Sequence, residues 1–333
     1  MGILDVLRKK PKVAEMAEAM ETAHVARRKM VKHRNIVNRL RGVPIPDIEH
    51  CFGDQRVFKT DYDGDVLVIN HEPFTTRVEV VAPQLIHEDG KAAALIQVTT
   101  VVGKGFDSYI QSDADINALN ADAAGGALIR AKDGRLLVGS RFTWFWEGNV
   151  WQDELMPLIV EAALNGPRSI LLAEKHRRGG LPPRFSGLSA LSSHEFSTIR
   201  EALPEGIACT VDDMGLFAEL AMPFGDKTAL VQFDKNPINP YLGPGVKAKM
   251  TLPNRLESLE KSLSAANYLN RMEMSSVSQA WHYGAWVARE NFGLSYTCFF
   301  PNSICGNVPI LSRWIDLMQQ RVQWVTHEMM GKF

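Results

Sequence analysis

From about residue 50 the chain is built of short apolar runs separated by turn residues. Asp65–Asn70, Arg77–Ala82, Ala93–Val102, Leu128–Ala131 and Leu136–Trp146 are rich in Val, Ile, Leu and aromatics and read as strands. Asp63-Gly64, Asp89-Gly90 and Asp133-Gly134 mark hairpin turns between them. Asp113–Asp122 reads as a helix. A second helix is expected from Trp151 to Leu164, ended by Gly166-Pro167. Ahead of all this, Val13, Met16, Met20, Ala23, Ala26, Met30, His33, Val37 and Leu40 recur at steps of three or four, the stripe of one long helix within residues 1–43.

Residues 174–189 carry Gly179-Gly180, Pro182-Pro183 and a cluster of basic side chains without periodicity, the composition of a linker. After it the order of elements repeats. Glu195–Leu203 reads as a helix, and Ile207–Val211, Leu216–Met222, Thr228–Phe233 and Val246–Leu252 as strands. Pro253 is expected to open a helix over Asn254–Asn270. Strands follow at Ala280–Arg289 and Leu294–Phe300, and a closing helix runs from Asn307 to Met330.

Short matches accompany the repeated order. Ala94-Leu95-Ile96-Gln97 matches Ala229-Leu230-Val231-Gln232, Asn117-Ala118-Leu119-Asn120 matches Asn267-Tyr268-Leu269-Asn270, and Phe142-Thr143-Trp144-Phe145 matches Tyr296-Thr297-Cys298-Phe299. They predict two tandem α+β repeats, 44–173 and 190–333, each a small antiparallel sheet flanked by helices. The loop string Asn236–Gly245 is the one large insertion.

The element order, the Leu-Asn ending of each middle helix (Leu119-Asn120, Leu269-Asn270), the two strands after it and the amphipathic closing helix resemble the class I type III secretion chaperone-like fold, shared with the YbjN-type bacterial regulators. The resemblance implies domains that bind protein segments without catalysis and that usually pair as homodimers. A tandem copy then looks like a dimer fused into one chain, a monomer with pseudo-dimeric halves.

Composition adds limits. The 333 residues are 45% apolar and 23% charged, with a net charge of −1, so the surface as a whole is not adapted to nucleic acid. Residues 1–41 are different, with net charge +7. Arg27, Arg28 and Lys32 lie on that helix and offer a surface for an acidic partner or a nucleic-acid backbone. No apolar run is long enough for a membrane span, and the N-terminus lacks an apolar stretch of signal-peptide length. Cys51, Cys209, Cys298 and Cys305 form no CxxC pair, so reduced thiols and a cytoplasmic location are expected.

Motifs of chemistry are sparse. The nine histidines form no HExxH spacing, there is no GxxxxGK[ST] loop, and Gly103-Lys104-Gly105 lacks the rest of a dinucleotide fingerprint. Asp61, Asp63, Asp65 and Glu72 have the spacing of calcium-loop donors, but Val66 stands where the turn needs glycine, and a plain hairpin explains the run. No catalytic residue, metal or cofactor is expected. The aromatic residues say more. Phe142, Trp144 and Trp146 share one face of a strand, and Tyr296, Cys298 and Phe300 the counterpart face, with Trp286 beside them. Such faces are either a core beneath the closing helix or a groove that accepts a partner segment. The sequence-level expectation is non-catalytic binding of a protein or peptide, as chaperone, adaptor or regulator. The alternatives are a nucleic-acid-associated protein using the basic helix, or an enzyme of unrecognised type.

Overall fold

The computed structural model describes residues 59–63, 66–71, 74–86, 92–102 and 110–145, scattered positions between 162 and 179, and most of 191–329. The basic segment with Arg27, Arg28 and Lys32, Trp146, and most of the expected linker and of the 151–164 helix lie outside the described residues. Two antiparallel sheets with helices make an α+β protein. No described helix is long and apolar enough to cross a membrane.

The first sheet holds β1 (Lys59–Asp63), β2 (Val66–His71), β3 (Phe74–Ile86), β4 (Ala92–Val102), β5 (Ala127–Arg130) and β6 (Leu136–Phe145), in spatial order β1-β2-β3-β4-β6-β5. Asp63 pairs with Val66, so the acidic run belongs to a tight hairpin, and the Asp63 carboxylate accepts from both terminal nitrogens of Arg77 at 3.2 Å. Between β4 and β5 lies α1 (Asp113–Asn120). Its start is fixed by a reciprocal cap: Asp115 N–H donates to Ser112 Oγ at 3.2 Å, and Ser112 N–H to Asp115 Oδ2 at 2.9 Å.

The second half opens with α2 (Ser193–Glu201) and builds β7 (Ala208–Asp212), β8 (Gly215–Ala221), β9 (Thr228–Asp234), β10 (Ile238–Asn239), β11 (Gly243–Arg255), β12 (Ala285–Ala288) and β13 (Gly293–Pro301). The main order is β7-β8-β9-β11-β13-β12, with β10 paired to β11. α3 (Leu259–Ser275) lies between β11 and β12, and α4 (Val308–Met329) closes the chain. Each sheet is thus a four-strand meander, then a helix, then two strands of which the second returns beside the fourth.

Register makes the equivalence exact to the residue. The row Leu67–Val78–Val98–Ser140 crosses the first sheet, and Leu216–Phe233–Ala248–Cys298 crosses the second. The hairpin pairs Asp63–Val66 and Asp212–Gly215 start the two rows alike. At the far end, Asn120 at the close of α1 donates to Leu128 O at 3.0 Å and accepts from Leu128 N at 2.8 Å. Asn270 in α3 does the same to Trp286, at 2.9 and 2.7 Å. Leu128 pairs with Val138 and Trp286 with Tyr296, which places Ser140 opposite Cys298 a second time.

This register corrects two of the three sequence matches. Ala94–Gln97 lies on β4, whose counterpart is β11, whereas Ala229–Gln232 lies on β9. Phe142 corresponds to Phe300 and not to Tyr296. Alternating apolar strands resemble one another at several registers, so four-residue strand matches discriminate poorly. The helix match at Asn117–Asn120 holds, because each Asn is tied to one backbone site.

Element boundaries also differ, and α3 runs past the Leu-Asn pair to Ser275. Pro253 does not open a helix: β11 continues to Arg255, and the proline sits where β11 breaks register with β13 between Thr251 and Arg255. Gly166-Pro167 does not end helical structure, since residues 166–170 are helical. The largest core cluster is continuous across both halves, from Leu67, Val78, Ile96 and Phe142 to Phe233, Val246, Tyr296 and Ile315.

Asn120 and Asn270 each satisfy one backbone N–H and one C=O that would otherwise be buried unpaired. Asn120→Ala and Asn270→Ala should each lower unfolding stability by about 2–5 kcal/mol in urea titrations, and Glu201→Ala, at an exposed position of α2, should change it little. Loss below about 0.5 kcal/mol at both asparagines contradicts the clamp.

Candidate functional site

The described aromatic residues singled out in sequence are core residues. Phe142, Tyr296, Phe300 and Trp286 are each fully buried. Phe142 meets Trp281 edge-on with ring centres 6.3 Å apart and Tyr283 at 6.0 Å, and Tyr283 stacks on Phe300 at 5.5 Å. The two counterpart positions therefore meet through one ring, and they wall no open groove. The expectation that these four line a partner groove is corrected by their burial: the continuous core takes up all four. Trp144 lies on β6, but its side chain, like all of Trp146, is outside what is described.

Beneath Tyr296 and Trp286 lies a charged cluster that the sequence reading did not single out. Glu273 of α3 and Arg321 of α4 are fully buried, with Arg321 Nε donating to Glu273 Oε1 at 2.6 Å and Nη2 to Oε2 at 3.0 Å. Trp286 Nε1 donates to Glu273 Oε1 at 3.0 Å, and Arg321 also donates to the Trp281 carbonyl. The guanidinium lies 4.2 Å over the Tyr296 ring. His282 stands 3.7 Å from Glu273 and shares a 3.1 Å hydrogen bond with the Tyr296 hydroxyl.

The electrostatics follow from this geometry. Burial pushes the Glu273 carboxyl up, but Arg321, His282 and the Trp286 N–H together hold it below its ordinary value. Burial opposes the charge on Arg321 as well, and Glu273 more than compensates, so the guanidinium stays charged. Burial pulls the His282 imidazole from 6.5 down to about 4; Glu273 opposes this, and Arg321 and Arg141 reinforce it. His282 is accordingly neutral at neutral pH despite its acidic neighbour, because Arg321 already occupies that carboxylate. Burial likewise raises the Tyr296 hydroxyl and the Cys298 thiol, so neither is a ready nucleophile. The cluster is buried, and His282 Nε2 is its one imidazole nitrogen without a partner among the described residues.

A sequence signal for it existed. Arg321 interrupts the apolar stripe of α4 between Met318 and Val322, and Glu273 follows Ala266 and Leu269 on the buried face of α3. Opposite charges on two inward faces specify a partner pair.

The open features lie elsewhere. β7 and β1 are sheet edges, each paired on one side only among the described residues. β7 begins beside a cleft of about 520 Å³ lined by Glu205, Glu219, Arg313, Asp316, Gln319 and Gln323 among others, between the α2–β7 connection, the end of β8 and α4. Arg313 Nη1 donates to Asp316 at 3.0 Å, and Gln319 donates to the Ala221 carbonyl at 3.2 Å. Among the described residues no group of three or more His, Cys, Asp and Glu is placed to hold a metal. Neither a protein-family model, nor a curated protein, nor a solved structure matches the chain.

The network makes stability pH-dependent. Below 6.5 the unfolded chain takes up a proton at His282 that the native state refuses until about 4, so stability falls as pH drops through that window. The loss is about 3 kcal/mol across it. Glu273, held low, adds a loss in the same direction at still lower pH. Urea midpoints measured from neutral pH downward should fall for the native chain and flatten in His282→Gln. A native midpoint that does not move through the window contradicts the assignment.

Proposed function

We propose that the chain is a non-catalytic binding protein that takes an extended, basic protein segment along the free edge of β7. The observation that carries this reading is the juxtaposition of an edge strand with the cleft at its start. An edge strand offers backbone N–H and C=O groups to an added strand, and a neighbouring cleft selects its side chains. Strand β7 is short and its side chains are half-buried or exposed, so an added strand has no competitor there among the described residues. Carboxylates of Glu205, Glu219 and Asp316 outnumber Arg313 in the cleft lining, which favours a cationic segment.

The repeated element order supports the same reading. Each half has its helix between the fourth and fifth strands of the meander order, each such helix carries the Leu-Asn pair, and the amphipathic α4 covers the second sheet. On this reading the chain is a fused pseudo-dimer acting as chaperone, adaptor or regulator. A second reading, nucleic-acid binding through residues 1–41, rests on their net charge of +7.

Titration of short peptides of varied charge against the full chain tests the proposal. Extended basic peptides should bind. Charge reversal at Glu219 and Asp316 together should weaken them by about tenfold or more at low salt. Melting should fall only modestly, by the equivalent of about 1 kcal/mol, because Glu219 is exposed and Asp316 gives up only a half-exposed pair with Arg313. Equal affinity in that variant, or binding of nucleic acid alone with a steep salt dependence, contradicts the edge reading.

A further inference from the structure

The seam between the halves is built twice, and the two copies differ. On one side α3 presses Met274 onto Gly139 of β6, where an added Cβ would lie 2.4 Å from the Met274 methyl carbon. Beside it Arg141 and His282 exchange both backbone hydrogen bonds, at 3.0 and 2.8 Å. Arg141 is held in turn by Gln97, whose Oε1 accepts from Nε at 2.9 Å and Nη2 at 2.7 Å. This seam is filled.

The register equivalence places Thr297 at the position of Gly139, Phe299 at that of Arg141 and Lys247 at that of Gln97. Facing them is the segment after α1, Ala121 to Ala123. This second seam holds a cavity of about 150 Å³, open to solvent on the side of Asp122, Lys247 and Ile238 and lined also by Ala123, Thr297 and Phe299. One wall is β10, in the β9–β11 connection. Counted between the equivalent register pairs Phe233–Ala248 and Val78–Val98, this connection is shorter than its β3–β4 counterpart, so the loop string Asn236–Gly245 is not the insertion the sequence matches suggested. Asn239 braces that wall by donating to the Asp122 carbonyl at 3.1 Å and accepting from Leu242 N at 3.1 Å.

Three polar groups serve the cavity. Thr297 is 4% exposed, and its hydroxyl has no hydrogen-bond partner among the described residues. A buried, unsatisfied hydroxyl is costly unless something else completes it. Lys247 Nζ and Asp122 Oδ1 are 3.4 Å apart, longer than a tight charge-assisted bond, so the ammonium keeps free donors and the carboxylate free lone pairs. Opposite charges and a hydroxyl thus stand against apolar walls from Ala123, Ile238 and Phe299.

We propose that this cavity binds a small zwitterion, an α-amino acid with a short side chain. Its carboxylate accepts from Lys247 Nζ and from the Thr297 hydroxyl. Its ammonium donates to Asp122. The apolar walls take the side chain, and a volume equal to about five liquid waters admits glycine, alanine or serine but not an aromatic amino acid. The site does not depend on the peptide-edge reading, since it lies at the seam and not at β7.

Isothermal titration of the full chain with glycine, alanine, serine and tryptophan, and with acetate and ethylammonium separately, tests the proposal. One or more of the three small amino acids should bind saturably, with tryptophan and both single-charge probes at least about tenfold weaker. Lys247→Met should weaken binding by about tenfold or more. The isosteric Thr297→Val should weaken it several-fold while leaving ligand-free melting unchanged or higher, because it removes an unsatisfied hydroxyl. No saturable binding of any of the three at millimolar concentration overturns the site. So does binding that both variants leave unaltered, or acetate binding as well as the amino acids.

Discussion

The buried pair of Glu273 and Arg321 is the interaction through which the second half is assembled and joined to the first. Glu273 belongs to the middle helix and Arg321 to the closing helix, so their two hydrogen bonds fix one helix against the other. Glu273 also holds the Trp286 indole of edge strand β12, and Arg321 holds the Trp281 carbonyl. Residues Trp281 and Tyr283 pack on Phe142, and His282 between them bridges to Arg141 of the first sheet. Two charges removed from water demand such complete partnership. Taking away one of them leaves the other buried and unpaired, which typically costs about 3–5 kcal/mol.

The network is also where the two halves stop being equivalent. Sheet order, register and the asparagine clamp repeat, but Glu273 answers to Ala123, which is small and uncharged. Asn117 reaches across to Ala288, donating to its carbonyl at 3.1 Å and accepting from its N–H at 2.7 Å, whereas the Nδ2 of its counterpart Asn267 is buried without a partner among the described residues. A fused pair is free to specialise its two seams, since one sequence no longer has to serve both. Here one seam is packed shut by Met274 and the Arg141–His282 bridge, while the other keeps a polar cavity beside β10.

Much of this was readable in the sequence. Strand alternation located β2, β3, β4, β8, β9 and β13, and the helix at Asp113 was legible as well. The repeat was legible because Asn120 and Asn270 each have a fixed backbone job. The strand matches misled, since Val, Leu and Phe on alternating positions fit at many registers. Pro253 was misread because a proline after an apolar run suits either a helix start or a strand bulge, and only the cross-strand pairing decides. β12 is shorter than its apolar run because residues 281–283 leave the sheet to meet the first half. Phe142, Trp144, Tyr296, Cys298 and Phe300 lie on strands as expected. Whether they opened to solvent depended on Trp281 and Tyr283 folding over them, a long-range contact that periodicity does not encode.

Native-state hydrogen exchange on Arg321→Met tests the central claim most directly. If the buried pair carries the join between the halves, amides of Arg141 and His282 at the seam should lose protection together with Trp286. The gain in exchange should be about a hundredfold, matching a loss near 3 kcal/mol. If instead only α4 loses protection while the Arg141–His282 bridge exchanges as slowly as in the native chain, the pair merely anchors the closing helix and the account is wrong.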